Sequence, residues 1–141
     1  MSGDLRVLVV EDNQEHLRLL QYILRSNNFP GILHIVRDGQ EAIDYLFRRE
    51  AFADASRSPR PDLVLLDLNI PRVEGRQVLR IMKEEGTLRD IPVVVVSSSD
   101  RQEDREYAFT MGAAAYISKA DGFEKLKHAL ASLHLHAGRA R

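Results

Sequence analysis

The sequence predicts an α/β fold, a doubly wound five-stranded parallel sheet with helices on both faces. Short aliphatic runs alternate with amphipathic stretches of helical period, and the runs Leu63–Leu66 and Val93–Val96 are apolar at every position. A strand is apolar at every position only when both its faces are buried, as in a parallel sheet between helices. Alternation with short connections implies right-handed crossovers. With about five strands, the flavodoxin-like strand order 2-1-3-4-5 is the commonest arrangement.

Each element is predicted from its own pattern. Short runs rich in β-branched residues predict strands, at Leu5–Val10, Ile32–Val36, Leu63–Leu66, Val93–Val96 and Ala114–Ile117. Apolar residues three or four positions apart predict helices with one buried stripe, around Leu17–Leu24, Ala42–Phe47, Val78–Met82 and Phe123–Leu133. The Asp-x-x-Glu spacing of a capping box predicts helix starts at Asp12, Asp38, Asp100 and Asp121.

The length of 141 residues fits one domain with a full hydrophobic core. We therefore predict a single domain over residues 1–141, with its core at about residues 5–134 and a C-terminal tail at residues 135–141. The polar stretch Ala53–Pro61 is predicted to be a surface insertion, because the apolar pattern resumes directly after it.

Composition excludes several classes of function. The 20 Lys and Arg residues nearly balance the 21 Asp and Glu residues, which argues against the basic surface of a nucleic-acid-binding protein. The absence of cysteine excludes disulfides, thiol catalysis and cysteine-ligated metals. The apolar runs are too short to span a membrane, and the first residues do not have the pattern of a secretory signal. We therefore expect a cytoplasmic protein that binds neither nucleic acid nor a membrane.

The candidate functional residues lie at one edge of the predicted sheet. In a doubly wound sheet, ligands bind beyond the carboxyl ends of the strands where the strand order reverses, here between the first and third strands. Glu11 and Asp12 follow the first strand, and Asp67 and Asn69 follow the third. Clustered carboxylates repel one another unless a cation lies among them. Oxygen ligands without His or Cys favour Mg²⁺ or Mn²⁺.

The fourth and fifth strands add a hydroxyl and an ammonium group to the same edge, from Ser97 and Lys119. The sequence contains neither GxGxxG nor GxxxxGK, which excludes nucleotide sites of those kinds. Carboxylates, a divalent cation, a hydroxyl and a lysine suit a phosphoryl group. The cation and Lys119 would neutralise its oxygens, Ser97 would donate a hydrogen bond, and a carboxylate would attack.

Each of these residues, taken alone, also has a purely structural explanation. Asp12 is equally explained as the cap of the first helix, and Asp67 as a turn residue before Pro71. Ser97 is explained as polarity at a helix entry, and Lys119 as a solvated surface residue. The functional interpretation is favoured because four of the five strand ends bring the required groups to one edge.

Four segments carry a resemblance to a known family. They are LVVEDN (Leu8–Asn13), LVLLDLNIPRVEG (Leu63–Gly75), IPVVVVSSS (Ile91–Ser99) and GAAAYISKA (Gly112–Ala120). In this order and spacing they are very specific, and from about Leu5 to Leu133 the chain resembles the receiver domain of response regulators in two-component signalling. The stretch LNIPRVEGRQVL, the long loop and the non-proline Ala120 are most similar to the single-domain regulators that serve phytochrome histidine kinases.

The resemblance implies a phosphoacceptor. Asp67 corresponds to the aspartate that takes a phosphoryl group from a histidine kinase. The implied ligands of Mg²⁺ (or Mn²⁺) are Glu11, Asp12, Asp67 and the backbone carbonyl of Asn69. A receiver is not an enzyme and assists only its own phosphorylation and slow dephosphorylation.

The resemblance also implies a switch. Ser97 stands at the position of the switch hydroxyl, and Lys119 at that of the family's lysine. Tyr116 falls at the aromatic position that turns inward when the hydroxyl moves to the phosphate. Most receivers have Lys-Pro with a cis bond, whereas Ala120 follows the lysine here. A cis bond before a residue other than proline costs about 2.5–4 kcal/mol, so we predict a trans bond and an altered loop.

The implied partner is a sensor histidine kinase, and the narrower resemblance points to a bacteriophytochrome. Because the chain stops shortly after the fifth predicted helix, we expect signalling through a protein–protein contact without an output domain. A small core does not require all the apolar residues near the end of the chain, such as Tyr107, Phe109 and Leu135. These residues therefore favour a homodimer through the region of helix 4, strand 5 and helix 5. We expect His134 and His136 to be solvated rather than metal-bound.

Two other functions stay open at this point. The first is a metal-dependent phosphatase with an Asp nucleophile, although such enzymes usually carry a second Asp at the position of Asn69. The second is a receiver-like binding module that is never phosphorylated, against which the intact acidic cluster argues. His16, His34 and His128 are expected to be surface or interface residues.

Overall fold

The computed structural model describes residues 5–26, 29, 31–121 and 125–129. Its strands are β1 (Leu5–Val10), β2 (Gly31–Val36), β3 (Leu63–Leu66), β4 (Val93–Ser97) and β5 (Ala115–Ser118). Its α-helices are α1 (Gln14–Ser26), α2 (Gly39–Leu46), α3 (Gly75–Glu84) and α4 (Gln102–Thr110), with 3₁₀ turns at Glu50–Phe52 and Lys119–Asp121. Residues 125–129 are also helical. Among the described residues, no helix is long and apolar enough to cross a membrane.

The strands form one sheet in the order β2-β1-β3-β4-β5, and every pairing is parallel. This confirms the predicted order 2-1-3-4-5. The strand order reverses at β1, which lies between β2 and β3. Val7 of β1 pairs with Leu33 on one side and with Leu63 on the other. The carboxyl ends of β1 and β3 are therefore neighbours, which is the position where doubly wound sheets bind ligands.

The two faces of the sheet are buried in two separate clusters of apolar side chains. On β4, Val93 and Val95 belong to one cluster, and Val94 and Val96 to the other. Helices α2, α3 and α4 contribute to the first cluster, and α1 and the helical residues 125–129 contribute to the second. Burial on both faces explains why the central strands are apolar at every position.

Two strands end one residue later than predicted, and β5 also begins one residue later, at Ala115. Backbone pairing does not depend on an apolar side chain. β4 includes Ser97 and β5 includes Ser118, and these two residues pair with each other. Any residue except proline offers the same N–H and C=O groups to a sheet. The predicted ends at Val96 and Ile117 were therefore one residue short. β2 begins at Gly31, one residue earlier than predicted.

The helix caps follow the prediction at one position and depart from it at two. The side chain of Asp38 accepts a hydrogen bond from the N–H of Glu41 at the start of α2. At α1 the cap is Asn13, whose Oδ1 accepts from the N–H of His16, so the prediction of Asp12 was wrong. Asp100 does not cap α4 either, since Arg101 directly precedes that helix without a side-chain cap. The fourth predicted box, the C-terminal part of the last helix and the tail lie outside the described residues.

The predicted surface insertion is held by hydrogen bonds to α2 and to Arg48, which follows that helix. The hydroxyl of Tyr45 donates to the carbonyl of Pro59 over 2.9 Å, and Nε of Arg48 donates to the carbonyl of Ser58 over 3.3 Å. Most of the stretch is exposed, but Ser58 is buried. The insertion is therefore a surface loop anchored near its C-terminal end.

His34 on β2 is a titratable residue whose ring packs against the ring of Tyr45. Its ring centroid lies 5.7 Å from that of Tyr45, and its Nε2 is buried without a hydrogen-bond partner. Burial of the imidazole lowers its pKa from the ordinary value, and the nearby positive charge of Arg6 acts in the same direction. The folded state therefore favours neutral His34.

This shift predicts a pH-dependent stability. A lowered folded pKa means that the contribution of neutral His34 is complete above the unfolded pKa and is lost as the pH falls. We expect the free energy of unfolding to decrease as the pH falls below about 6.5, and to decrease less in His34→Leu. Urea unfolding at several pH values measures this. The exposed His128 offers the control His128→Leu, and equal slopes in both variants would contradict the prediction.

Candidate functional site

The centre of the site is the carboxylate of Asp67, which directly follows β3. Only 4% of this residue is exposed. Its Oδ1 accepts the backbone N–H of Asn69 over 2.9 Å, and its Oδ2 accepts Nζ of Lys119 over 2.9 Å. Its own backbone N–H donates to the carbonyl of Val10, which joins the carboxyl ends of β1 and β3. Each carboxylate oxygen is thus held by a donor from a different part of the chain.

Two further acids lie beside Asp67. One carboxylate oxygen each from Glu11, Asp12 and Asp67 lie within 4.8 Å of one another. Glu11 and Asp67 are buried and Asp12 is exposed. Three carboxylates without a His or Cys ligand are the donor set of a hard divalent cation. The residues present therefore fit Mg²⁺ or Mn²⁺.

The crowding of acids affects the protonation of Glu11. Burial raises the pKa of its carboxyl above the usual value, and the charge of Asp67 adds to this, while the hydrogen bond from Lys119 opposes it. A raised acid pKa means that the charged form is unfavourable in its surroundings. A cation among these carboxylates would relieve this cost.

Lys119 joins the acids to the end of β5. Its Nζ lies 2.7 Å from Oε1 of Glu11, 2.9 Å from Oδ2 of Asp67 and 2.8 Å from Nδ1 of His16. Only 8% of the lysine side chain is exposed. The bond between Lys119 and Ala120 is trans, as predicted, because the described part of the chain contains no cis peptide.

A chain of serines continues from the acids toward α4. The buried hydroxyl oxygen of Ser97 accepts from the backbone N–H of Ser99 over 3.1 Å. It also accepts from the side-chain amide of Asn69 over 3.4 Å, and the same amide lies 3.3 Å from Oγ of Ser98. Ser97 thus lies at the same sheet edge as Asp67. Asn69 is hydrogen-bonded to both residues.

Comparison with known proteins identifies this arrangement. The family model for the response regulator receiver domain matches residues 7–131. The chain belongs to the response regulator receiver family. It is 35% identical over 120 residues to the response regulator Rcp1 of Synechocystis sp., covering 85% of this chain and 80% of that relative.

Solved structures of receivers superpose closely on this chain. The phosphorylated cyanobacterial phytochrome response regulator RcpA is 37% identical, covers 93% of this chain and 89% of its own, and has a TM-score of 0.76. The Mn²⁺-bound form of Rcp1 is 33% identical, covers 92% and 89% of the two chains, and also has a TM-score of 0.76. The similar proteins thus include phytochrome response regulators.

The aromatic residue of this receiver lies next to the serine chain. Tyr116 is buried, and its hydroxyl donates to the carbonyl of Ser99 over 2.9 Å. The guanidinium carbon of Arg105 lies 4.8 Å from the centre of its ring. The Tyr116 side chain is therefore buried between the Ser99 backbone and Arg105, and its role in switching stays a prediction.

Sequence reasoning missed an ion-pair network between α3 and α4. Arg76 donates hydrogen bonds to Asp104 and Glu103, and Ser99 donates its hydroxyl to Asp104. The hydrogen bond from Arg76, followed by that from Ser99, lowers the pKa of the Asp104 carboxyl below its usual value. The hydroxyl of Tyr107 donates to the carbonyl of Arg76 over 3.1 Å. This network holds the start of α4 against α3.

The same network corrects one argument for a homodimer. Tyr107 is half-buried and packs against Arg76 within the same chain, so it does not support a dimer interface. Phe109 is 52% exposed, and Leu135 lies outside the described residues. The homodimer through α4, β5 and the following helix stays a prediction, now carried by Phe109. His134 and His136 also lie outside the described residues.

Sequence reasoning expected His16 only as a surface or interface residue and missed the contact between its ring and Lys119. A signal existed, because helical side chains lean toward the N-terminus of their helix. His16 lies in the first turn of α1, and this lean directs its ring toward the sheet edge from which the helix begins.

Proposed function

We propose that this receiver is a phosphoacceptor that takes a phosphoryl group from a sensor histidine kinase onto Asp67. The observation that carries the proposal is the buried Asp67 carboxylate, 2.9 Å from Nζ of Lys119 and beside two further acids. Buried acids and a lysine at the reversal point of the sheet are difficult to explain as surface polarity, because burying unneeded charges destabilises a fold.

The reaction is a displacement at phosphorus. A carboxylate oxygen of Asp67 forms a bond to the phosphorus atom, and the P–N bond to the kinase histidine breaks, so the imidazole leaves with the electron pair of that bond. Lys119 offers a positive charge to the phosphoryl oxygens, and Ser97 offers a hydroxyl hydrogen bond. Such positioned charges and donors supply most of the catalysis in phosphoryl transfer.

Glu11, Asp12 and Asp67 would hold Mg²⁺ or Mn²⁺, together with the backbone carbonyl of Asn69. The donor set supports this assignment, and so does the Mn²⁺-bound form of the similar protein Rcp1. When bound, the cation would neutralise negative charge on the clustered acids and the phosphoryl oxygens.

The output is a protein–protein contact rather than turnover of a substrate. Ser97 is hydrogen-bonded to Ser99, which in turn contacts Tyr116 and Asp104. If Ser97 rotates toward a phosphoryl oxygen, Ser99 loses that partner, and the change reaches β5 and the start of α4. Phosphorylation would in this way bias the surface formed by α4, β5 and the following helix.

The kinase partner is proposed from the similar proteins. RcpA is a phytochrome response regulator, and other similar structures are bacteriophytochrome response regulators. We propose that a bacteriophytochrome histidine kinase phosphorylates this chain.

Incubation with Mg²⁺ and acetyl phosphate, followed by intact-protein mass measurement, tests the proposal. We expect a stable gain of one phosphoryl group in the wild type, none in Asp67→Asn, and an unchanged gain in Asp100→Asn, which replaces an exposed aspartate paired with Arg105. Rapid hydrolysis of the donor without a stable gain would instead indicate a phosphatase. Neither gain nor hydrolysis would indicate a binding module that is not phosphorylated.

A further inference from the structure

All three N–H groups of the Lys119 ammonium have a partner. Two partners are the carboxylates of Glu11 and Asp67, and the third is Nδ1 of His16 at 2.8 Å. An ammonium group has three donors and no lone pair, so the imidazole must accept this hydrogen bond. The contact therefore requires neutral His16 with its hydrogen on Nε2.

His16 is held at this position by the start of α1. Its backbone N–H donates to Oδ1 of Asn13 over 3.0 Å, which fixes the first turn of the helix. Its ring lines a small cavity behind the site together with Glu11, Leu20 and Asp67. About a third of the side chain is exposed (36%). The ring thus reaches the acids from the helix side of the sheet edge.

A neutral acceptor has a specific advantage at this position. A carboxylate in place of the imidazole would add negative charge beside Asp67 and repel an incoming phosphoryl group. An apolar side chain would leave a buried N–H of Lys119 without a partner, which is unfavourable. The imidazole satisfies the donor without adding charge.

We propose that His16 is a positioning residue of this site, which directs the ammonium of Lys119 toward Asp67 by accepting its third N–H. The lysine side chain is long and flexible, so a third contact restricts the directions of its donors. The inference rests on the proposed function, because the positioned lysine would assist the transfer of a phosphoryl group to Asp67.

Substitution of His16 tests the proposal. We expect His16→Leu to slow phosphorylation by acetyl phosphate about tenfold at fixed Mg²⁺, because the lysine is no longer held in place. His16→Asn, whose side-chain oxygen can take the place of Nδ1, should restore most of the rate. Leu19→Ala on the same helix, where the side chain is 43% exposed, is the matched control and should not change the rate. An unchanged rate in His16→Leu would overturn the proposal.

A double substitution separates positioning from a general structural effect. If His16 acts only through Lys119, His16→Leu should cause no further loss in a Lys119→Met background. An equal additional loss would overturn the proposal. Thermal unfolding of each variant identifies any loss that comes from partial unfolding, and rescue by His16→Asn supports positioning.

The hydrogen bond itself can be observed without a phosphodonor. Nitrogen-15 NMR of the wild type at pH 8 should show His16 as the tautomer protonated at Nε2, and a hydrogen on Nδ1 would overturn the proposal. This measurement distinguishes the two failures. If the wild type takes up no phosphoryl group, the proposed function fails, whereas normal uptake with the wrong tautomer contradicts only the inference on His16.

Discussion

Replacing Lys119 by Met is expected to slow phosphorylation of Asp67 by about 100-fold, the usual effect of removing one positioned donor from a reacting oxyanion. Met keeps the length of the side chain but removes the charge and all three donors. The rate of mass gain with acetyl phosphate and Mg²⁺ measures the effect.

The same chain offers a matched lysine as a control. Lys83, near the end of α3, is also partly buried, and its Nζ donates to the carbonyls of Arg89 and Ile91 in the segment before β4. Lys83→Met should keep the wild-type rate of phosphorylation. An equal loss of rate in the Lys83 and Lys119 variants would show that the effect does not arise at the site.

The Lys119 substitution should also lower stability in the presence of a chelator. It leaves the buried carboxylates of Glu11 and Asp67 without their shared cation, and removing one partner of a buried ion pair costs about 3 kcal/mol. Added Mg²⁺ should recover much of this loss in urea unfolding, because binding to the folded state stabilises it. No difference between chelator and Mg²⁺ would contradict the assignment of a cation to these acids.

Leu65→Ala and Leu66→Ala are each expected to reduce the free energy of unfolding by about 2–5 kcal/mol. The two residues are neighbours on β3, but Leu65 belongs to the cluster on one face of the sheet and Leu66 to the cluster on the other. A strand with one solvent-facing side would lose stability at only one of the two positions.

Urea unfolding of the two variants measures this directly. Ile32→Ala on the edge strand β2, where the side chain is 40% exposed, is the control, and we expect its effect to be less than about 1 kcal/mol. A loss at only one of the two leucines would contradict burial of the sheet on both faces.

The fold was predictable because its signals are local and repeated. The all-apolar runs on β3 and β4 indicate a sheet with two buried faces, and this together with the alternation of strands and helices predicts the order of the strands. The positions of Asp67 and Lys119 followed from the same geometry, since the carboxyl ends of parallel strands meet at one edge. The convergence of the acids therefore needed no knowledge of side-chain contacts.

Details that depend on side-chain geometry were not predictable. Asp12 and Asn13 are both good capping residues, and only the structure shows which one contacts the first turn of α1. The pair of Arg76 and Asp104 joins residues 28 positions apart, so no local pattern indicates it. The role of Ser99 as partner of Ser97, Tyr116 and Asp104 also arises from contacts between distant segments.

Chemical location of the phosphoryl group determines whether Asp67 is the phosphoacceptor. Borohydride reduces an aspartyl phosphate to homoserine, and peptide mass measurement then identifies the modified residue. After incubation with Mg²⁺ and acetyl phosphate, we predict homoserine at position 67 and unchanged residues at Glu11 and Asp12. Modification of another residue, or an unmodified Asp67 in protein that has gained a phosphoryl group, would contradict the assignment of Asp67 as the phosphoacceptor.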